Sequence, residues 1–326
     1  MNSFGRLFQI NIYGESHGAG VGVVIDGCPP GIPLELADFE TDLARRRSGK
    51  PGTTARLEAD QPQLLSGVFE GKTTGAPIAI WFINQQQKTA DYIANRWIFR
   101  PGHADFTAYS KYKGYNDWRG GGMFSGRLTV GLVAAGVIAK KIIRPMQIDA
   151  IIEEIGGQKN YDKGVIEAQR ADDSLGGIIT CTVENVPVGL GEPFFDSVES
   201  LLSHAIFAIP GIKGVAFGSG FAAARMRGSE YNDLFLDGSG KTSTNHAGGI
   251  NGGITNGNPL FFQVAVHPTA SIAQPQQTFD FEQQRPTLLQ INGRHDVCFA
   301  LRVPVIIEAV TACVLADLLL IKKAFD

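Results

Sequence analysis

Apolar positions in the first half of the chain predict four strands and two helices. The strands are short apolar or alternating runs, predicted over residues 8–13, 21–25, 64–69 and 76–83. Apolar residues at helical spacing predict a first helix over residues 37–47, which ends in Arg45–Arg47. Those arginines suit either the helix dipole or an anionic ligand. A strongly apolar run predicts a second helix over residues 128–143, which a proline follows.

The second half of the chain carries the same two kinds of pattern. Strands are predicted over residues 178–183, 214–221 and 260–266. A helix over residues 196–209 begins with Asp196 and Glu199 at the spacing of a capping box. The last helix is predicted over residues 304–323. Between the halves, residues 148–173 are charged and weakly patterned, which predicts a peripheral connection.

The last predicted helix is apolar on most faces, as expected for a deeply buried or intersubunit helix. Glu308 and Asp317 interrupt its apolar run, which favours burial inside the protein over a membrane span. Strands and helices do not alternate regularly along the chain, so a doubly wound parallel fold is disfavoured. The 326 residues suffice for one large or two medium domains.

Composition narrows the class of ligand. The formal net charge of −3 disfavours generic nucleic-acid binding, whereas locally grouped arginines suggest a small anionic ligand. Glycine occurs 40 times in aperiodic clusters, which predicts tight turns and close approaches of backbone to ligand. The four cysteines lack zinc or redox spacing, and the first residues lack a signal-peptide apolar region, so we expect a reduced, cytoplasmic protein.

The strongest candidate for chemistry is the stretch from Arg100 to Asp105 together with the glycine run from Arg119 to Arg127. His103 lies between an arginine and an aspartate, and histidine is a candidate general acid because this residue type changes charge near neutral pH. Arginine matches phosphate or carboxylate, and the glycines precede a predicted helix whose N-terminus favours anions. The pattern predicts a site for a phosphorylated small molecule.

Three further polar clusters accompany this stretch, at residues 14–20, 244–257 and 293–296. The first contains Ser16 and His17, which either face a ligand or satisfy their own loop. The second contains four glycines within six residues and is either a ligand contact or a pair of turns. The separation of the histidines at 17, 103 and 295 excludes a local metal motif, so no metal site is predicted.

These clusters, taken in order, resemble the chorismate synthase family. The shared motifs include Gly14-Glu15-Ser16-His17-Gly18, the triple-arginine helix end, Arg100-Pro101-Gly102-His103-Ala104-Asp105, Gly120-Gly121-Gly122, Ser125-Gly126-Arg127, Asn245-His246-Ala247-Gly248-Gly249-Ile250 and Gly293-Arg294-His295-Asp296. The resemblance runs from about residue 4 to residue 322. It implies a 1,4-anti elimination of phosphate from 5-enolpyruvylshikimate 3-phosphate to give chorismate, in the shikimate pathway of aromatic amino acid biosynthesis.

The resemblance also implies a requirement for reduced FMN with no net redox change. In the family account the flavin lends electron density as phosphate leaves, and its N5 accepts the C6 proton. NADPH would serve only as an external reductant, because no reductase segment is visible. The alternative from another enzyme class is a flavin-dependent NADPH oxidoreductase.

Site roles carried over from the family fall into three groups. The catalytic residues would be His17, His103 and Asp296. Substrate would be bound by Ser16, Arg46, Arg100, Ser125, Arg127 and Arg294. FMN contacts would come from Arg46, Met123, Phe124, Ser125, Pro210, Gly211, Gly252, His267, Pro268, Thr269, Ala270, Ser271 and Arg294.

Four departures from the family pattern concern the predicted flavin site and its surroundings. Met123 replaces an arginine or histidine, His267 replaces a lysine, Val297 replaces a proline, and the loop around Gly52 lacks a second arginine. The implied fold is a single α+β domain over residues 1–326, with a helical layer between antiparallel sheets. The implied assembly is a homotetramer that uses a separate flavin reductant and binds neither nucleic acid nor membrane.

Overall fold

The computed structural model describes residues 2–54, 58–85, 96–291 and 295–325. The strands are β1 Ser3–Phe4, β2 Gln9–Gly14, β3 Gly20–Asp26, β4 Gln63–Leu64, β5 Val68–Phe69, β6 Lys72–Thr73, β7 Ile78–Ile83, β8 Gln147–Ile155, β9 Gly177–Glu184, β10 Ile212–Phe217, β11 Ile250–Asn251, β12 Ile254–Thr255, β13 Leu260–Val266, β14 Gln276–Asp280 and β15 Arg285–Leu289. The helices are α1 Glu40–Arg46, α2 Asp105–Lys111, α3 Thr129–Ile142, α4 Asp162–Arg170, α5 Val198–Ile206, α6 Gly228–Tyr231 and α7 Pro304–Phe325. Short 3-10 turns cover Leu36–Phe39, Arg119–Phe124, Gly126–Leu128, Phe194–Asp196, Gly220–Arg225 and Phe299–Arg302.

Strands from the first part of the chain form an antiparallel sheet in the order β1-β2-β3-β7-β4. Its register places Val23 opposite Ile80, and both side chains are fully buried. Apolar cross-strand pairs of this kind stabilise a sheet through side-chain packing on one face. The buried face of this sheet is therefore set by the alternating apolar residues of β3 and β7.

A second antiparallel sheet has the order β10-β13-β9-β8. Its strand β13 alternates between buried and half-buried residues, with Leu260, Phe262, Val264 and Val266 inside. Such alternation is typical of a strand with one face on a core. The strand predicted over residues 260–266 is confirmed at both ends.

The two sheets are separated by helices. The helix α3 lies against α7, and α3 packs on β3 whereas α7 packs on β8 and β9. Gly136 in α3 allows close approach, because a Cβ atom at this position would overlap Ala309 of α7. The predicted α+β architecture, with a helical layer between antiparallel sheets, is confirmed.

The helix α7 is long and apolar enough by length and composition to cross a membrane, yet 78% of its most apolar window is buried inside the fold. Its two acidic residues have internal partners. Asp317 accepts backbone N–H bonds from Arg6, Leu7 and Phe8 at 2.7–3.1 Å. Glu308 binds two cationic side chains. Because each acid has partners inside the fold, its burial is tolerated. The predicted burial of this helix inside the protein is therefore confirmed.

The expectation of a peripheral connection over residues 148–173 is wrong. Residues 147–155 form the edge strand β8, and α7 packs against it. The pattern is weak because the register shifts between Ile152 and Glu154, which interrupts the alternation of buried and exposed residues along β8.

The start of α5 also differs from the prediction. Ser197 rather than Asp196 caps the helix, and the Ser197 hydroxyl accepts the N–H of Ser200 at 3.1 Å. Asp196 instead pairs with Arg6. Two polar residues in succession both fit a helix cap, and here the first of them lies in the preceding 3-10 turn.

Glycines end two predicted strands early. The strand predicted over residues 214–221 stops at Phe217, because Gly218 adopts φ 54° and contacts the backbone around His246. The strand predicted over residues 64–69 is split into β4 and β5 by Gly67, which has φ 80°. Both backbone conformations favour glycine over residues with a Cβ atom.

Candidate functional site

A cavity of about 740 Å³ is lined by residues from both halves of the chain. Its volume is typical of small-molecule sites, which range over about 300–1,000 Å³. The lining includes most of the residues predicted for the site. They are Ser16, Arg46, Arg100, His103, Met123, Phe124, Ser125, Arg127, Pro210, Gly211, His267, Thr269, Ala270, Ser271 and Asp296.

Local backbone structure brings these side chains to the cavity. The β2–β3 loop presents Ser16, and the carboxyl end of α1 presents Arg46. The turn over Arg119–Phe124 has left-handed φ values at its three glycines, which a residue with a Cβ atom adopts only with strain. Ser125 then caps the following 3-10 turn by accepting the N–H of Arg127 at 3.3 Å.

His103 is oriented by a carboxylate that an arginine holds in turn. The His103 Nδ1 atom lies 2.7 Å from Asp105 Oδ1. Arg100 donates from Nε and Nη2 to the two oxygens of Asp105 at 2.7 and 2.8 Å, and from Nη1 to Ser271 at 3.1 Å. An ionised carboxylate only accepts, so the Nδ1 proton lies on His103 and the 3.1 Å contact from Arg100 Nη2 to Nδ1 is not a hydrogen bond.

The same arrangement keeps Asp105 ionised. Burial raises the pKa of Asp105, but the bonds from Arg100 and His103 outweigh burial and hold the pKa well below its ordinary value. His103 therefore faces a permanent negative charge through Nδ1. Its Nε2 atom is the one left for a reacting group in the cavity.

His17 lies behind the glycine turn rather than in the cavity lining, and it is 4% exposed. A Cβ atom on Gly120 would come within 2.5 Å of His17 Nε2. Gly121 lies beside the His103 ring in the same way, with 3.4 Å between its built Cβ and Cε1. Consecutive glycines therefore place backbone against both predicted catalytic histidines.

Two buried arginines share one buried carboxylate. Arg46 donates from Nη2 to Asp60 Oδ2 at 2.7 Å, and Arg127 Nη1 binds Asp60 Oδ1. Arg46 also donates to Thr129 Oγ1 at 3.1 Å, and Arg127 Nε donates to Asn84 at 2.9 Å. All three charged residues line the cavity and carry a combined charge of +1. Such a pair suits phosphate or carboxylate.

Asp296 is a further carboxylate of the lining. Its Oδ1 atom accepts the backbone N–H of Thr54 at 2.8 Å, and its Oδ2 atom pairs with Arg302 Nη1 at 3.1 Å. Arg302 also donates from Nε to the carbonyl oxygen of Arg46 at 2.8 Å. The carboxylate is thereby fixed relative to the arginine pair.

Some predicted residues lie elsewhere. His17, Pro268 and Gly252 do not line the cavity, and Arg294 lies outside the described residues. Gly252 is in the turn between β11 and β12, and no atom outside the glycine and its chain neighbours lies within 4 Å of its built Cβ. The glycine cluster around it serves mainly to pack backbone on backbone. A Cβ on Gly249, for example, would lie 2.5 Å from the carbonyl oxygen of Pro259.

Sequence reasoning missed several polar residues of the lining. They are Glu58, Asp60, Lys213 and Arg302, whereas Arg47 and His295 belong to clusters that the sequence had already indicated. A usable signal for Asp60 existed, because two arginines near a buried site require a carboxylate to accompany them. The position of that carboxylate along the chain had no local marker.

An enzyme that binds a small, multiply anionic molecule is the class of protein that this fold and cavity define. The chorismate synthase family profile matches residues 8–320. A chorismate synthase of Chitinophaga pinensis is 58% identical over 99% of this chain and 98% of its own length. One from Dehalococcoides mccartyi is 45% identical over 98% and 96%.

A solved chorismate synthase structure matches with a TM-score of 0.75 and 26% identity, over 98% of this chain and 93% of its own. The chain belongs to the chorismate synthase family. The family consists of carbon–oxygen lyases of aromatic biosynthesis that need reduced FMN. The resemblance in the motifs is confirmed, and the alternative of a flavin-dependent NADPH oxidoreductase receives no support.

Proposed function

We propose that the protein removes phosphate from 5-enolpyruvylshikimate 3-phosphate by 1,4-anti elimination and releases chorismate. The observation that carries this proposal is a single cavity in which an arginine pair and a carboxylate-held histidine face the same space. The substrate carries a phosphate and two carboxylates, and the described lining offers cationic side chains for such groups. A site that only bound an anion, without catalysis, would not require the His103–Asp105 arrangement.

The substrate's anionic groups would be held by Arg46, Arg127 and Arg100, with Ser16 and Ser125 as hydrogen-bond partners. Ser16 is 1% exposed, and its hydroxyl has no partner among the residues that the structure describes. A buried hydroxyl without a partner is costly unless a ligand completes it. Arg294 remains a proposed contact from the family motif.

His103 would act as general acid on the departing phosphate. During elimination the C3–O bond breaks, the C6 proton leaves and a second ring double bond forms, so electrons balance without a net oxidant. The proton on Nε2 of a doubly protonated His103 would pass to the phosphate oxygen and leave a neutral ring. Asp105 would stabilise the protonated ring before the transfer and would keep the Nδ1 proton in place. His17, buried beside Gly120, would donate a proton near the cofactor.

The cavity fits a flat cofactor with a phosphate. Phe299 lies against Gly126 and Gly211, where a built Cβ atom would be 3.5 and 3.6 Å from its ring. Thr269 Oγ1 is buried without a partner among the described residues. Its hydroxyl would donate a hydrogen bond to a phosphate oxygen. When bound, reduced FMN would supply electron density to the breaking bond and a base for the C6 proton. Asp296, held by Thr54 and Arg302, would assist removal of that proton.

The proposed FMN contacts follow the family motif where the lining includes them. They are Arg46, Met123, Phe124, Ser125, Pro210, Gly211, His267, Thr269, Ala270 and Ser271. Met123 and His267 are weaker partners for a phosphate than arginine and lysine, so we expect FMN affinity below that of relatives with those cations. NADPH would act only through a separate flavin reductant.

We also propose that residues 1–326 form one domain and that the protein works in the cytoplasm as a homotetramer. The helices α3 and α7 pack on each other and on different sheets, which supports one domain. Large aromatic side chains of the described chain are exposed, with Phe194 at 85%, Phe195 at 91% and Phe221 at 87%. Large exposed aromatic side chains such as these favour contacts between subunits.

Anaerobic phosphate release tests the reaction. The protein is mixed with 5-enolpyruvylshikimate 3-phosphate and with either dithionite-reduced or oxidised FMN. Phosphate and chorismate absorbance should appear together, and only with reduced flavin. Consumption of NADPH without the phosphorylated substrate would instead favour an oxidoreductase, and no release in either redox state would overturn the proposal.

A further inference from the structure

Asp60 is buried between two guanidinium groups and has no assigned role. It is 3% exposed, and each of its carboxylate oxygens binds a different arginine. Its φ of 49° lies in the left-handed region, which aspartate adopts more readily than most other residues with a Cβ atom. Burying a carboxylate in a ligand cavity costs free energy that packing alone does not explain, because an apolar residue would avoid the loss of hydration.

The surroundings fix the two arginines from their outer ends as well. Thr129 Oγ1 accepts from Arg46 Nη1 at 3.1 Å, and it donates to the carbonyl oxygen of Gly126 at 2.7 Å. Asn84 accepts from Arg127 Nε at 2.9 Å and donates to two carbonyl oxygens of the β2–β3 loop at 3.0 Å. Asp60 is the central member that joins these two halves, and it therefore sets the spacing of the guanidinium groups.

Asp60 also sets the charge of this part of the cavity. Burial raises the pKa of Asp60, but the charges of Arg46 and Arg127 outweigh burial and keep the pKa below its ordinary value. The carboxylate is thus ionised at neutral pH, and it lowers the combined charge of the arginine pair from +2 to +1. A pair of charge +2 would bind a released phosphate dianion more tightly.

We propose that Asp60 is a positioning residue that holds Arg46 and Arg127 as one anion receptor and limits the receptor's affinity for phosphate. This inference rests on the proposed function in that the ligand carries phosphate. It adds a reason for the carboxylate: the enzyme must release the phosphate that it forms. A receptor with moderate affinity binds the anion and lets the product go.

The test measures binding of inorganic phosphate to the full-length protein by isothermal titration calorimetry. Asp60→Asn should bind phosphate about tenfold more tightly than the unmodified protein, with a steeper dependence on salt. Asp38→Asn is the matched control, because it removes one negative charge from a pair with Lys141 outside the cavity lining. Its phosphate affinity should stay within twofold of the unmodified protein.

A second variant separates geometry from charge. Asp60→Glu keeps the charge, so phosphate affinity should not rise as it does in Asp60→Asn. Its longer side chain displaces the two guanidinium groups, so kcat for chorismate formation should fall about tenfold. The Glu variant also covers failure of the Asn variant to fold, which far-ultraviolet circular dichroism would reveal. Unchanged kcat in Asp60→Glu would overturn the positioning role.

Unchanged or weaker phosphate binding by folded Asp60→Asn would overturn the limit on affinity, and so would an equal gain in Asp38→Asn. These binding measurements need no turnover. If the unmodified protein releases no phosphate from 5-enolpyruvylshikimate 3-phosphate with reduced FMN, the proposed reaction fails, while the binding ratio still decides the role of Asp60.

Discussion

At the scale of single residues, the reactive position of His103 depends on a carboxylate two residues away and an arginine three residues before it. Asp105 binds Nδ1 at 2.7 Å, and Arg100 binds both oxygens of Asp105. Nearest neighbours in sequence thus form the arrangement almost unaided. The short motif alone therefore indicates that His103 is a candidate general acid.

Replacing His103 by alanine should lower kcat by about 10²–10⁴, the usual contribution of a general acid. Substrate affinity should change much less, since the arginines hold the anionic groups. The measurement is chorismate absorbance under anaerobic conditions with reduced FMN. His246→Ala is the control, because His246 lies outside the cavity lining and pairs with Ser219 at 2.8 Å. Equal losses in both variants would contradict the assignment.

Gly120→Ala tests the contact between the glycine turn and His17. The new Cβ would lie 2.5 Å from His17 Nε2, at a backbone φ of 57°. We expect at least a tenfold loss of kcat, because the histidine must move. Gly31→Ala is the matched control, since Gly31 has φ 85° and nothing within 4 Å of its built Cβ.

Both alanine variants share a backbone cost of about 1–2 kcal/mol in the free energy of unfolding, measured in urea. Only Gly120→Ala should lose activity. A Gly120→Ala enzyme with full kcat would show that the position of His17 does not matter for turnover.

At the scale of elements, α7 joins the two sheets through polar residues inside an apolar helix. Glu308 accepts from Arg45 at 2.6 and 2.7 Å, from Lys140 at 3.0 Å and from the backbone N–H of Ala150 at 3.2 Å. One side chain of α7 thereby ties α1, α3 and β8 together. Apolar packing alone would leave the rotation of such a uniformly apolar helix poorly specified.

Glu308→Gln should reduce the free energy of unfolding by about 1.5–3 kcal/mol, because it removes the charge of a buried carboxylate that accepts hydrogen bonds from two partly exposed cations. Urea unfolding at pH 7 provides the measurement. Glu167→Gln is the control, since Glu167 is 61% exposed and pairs with Lys163 at 3.7 Å, so its loss should be below about 0.5 kcal/mol. Similar losses in the two variants would argue against a structural role for the Glu308 cluster.

At the scale of the whole molecule, several acidic side chains of the described chain are held by cations from distant parts of the sequence. For Asp60, Asp105 and Glu308, burial raises the pKa, but their cationic partners outweigh burial and lower it below the ordinary value. A lowered folded pKa means that the unfolded chain binds more protons in acid. The stabilisation is therefore complete above the unfolded pKa and is lost as pH falls through the folded pKa.

The free energy of unfolding should accordingly stay level above about pH 5 and fall steadily from about pH 4 to pH 3. Urea titrations at pH 7, 5, 4 and 3 would measure this. The free energy of unfolding of Glu308→Gln should fall less steeply with pH, because this variant lacks one of the carboxyl groups whose pKa is lowered by folding. A free energy of unfolding that rises on acidification would contradict the sign of these pKa shifts.

Much of the site was open to prediction from the sequence because its motifs are local. His103 with Asp105, and Ser125 with Arg127, lie within a few residues of each other, and the glycine turn precedes α3 directly. The partners that were missed are distant: Asp60 is 67 residues from Arg127, and Thr54 is 242 residues from Asp296. Nothing in local spacing indicates which carboxylate will meet which arginine.

The amino-acid sequence predicts the apolar faces of the main strands, the burial of α7 and the motifs of the family, since side-chain periodicity and turn residues act over short distances. Tertiary contacts are needed to place β8 in a sheet and to join Asp60 to two arginines. These choices depend on which surfaces meet when the helical layer closes between the sheets. Burial then makes each unpaired charge too costly to leave without a partner.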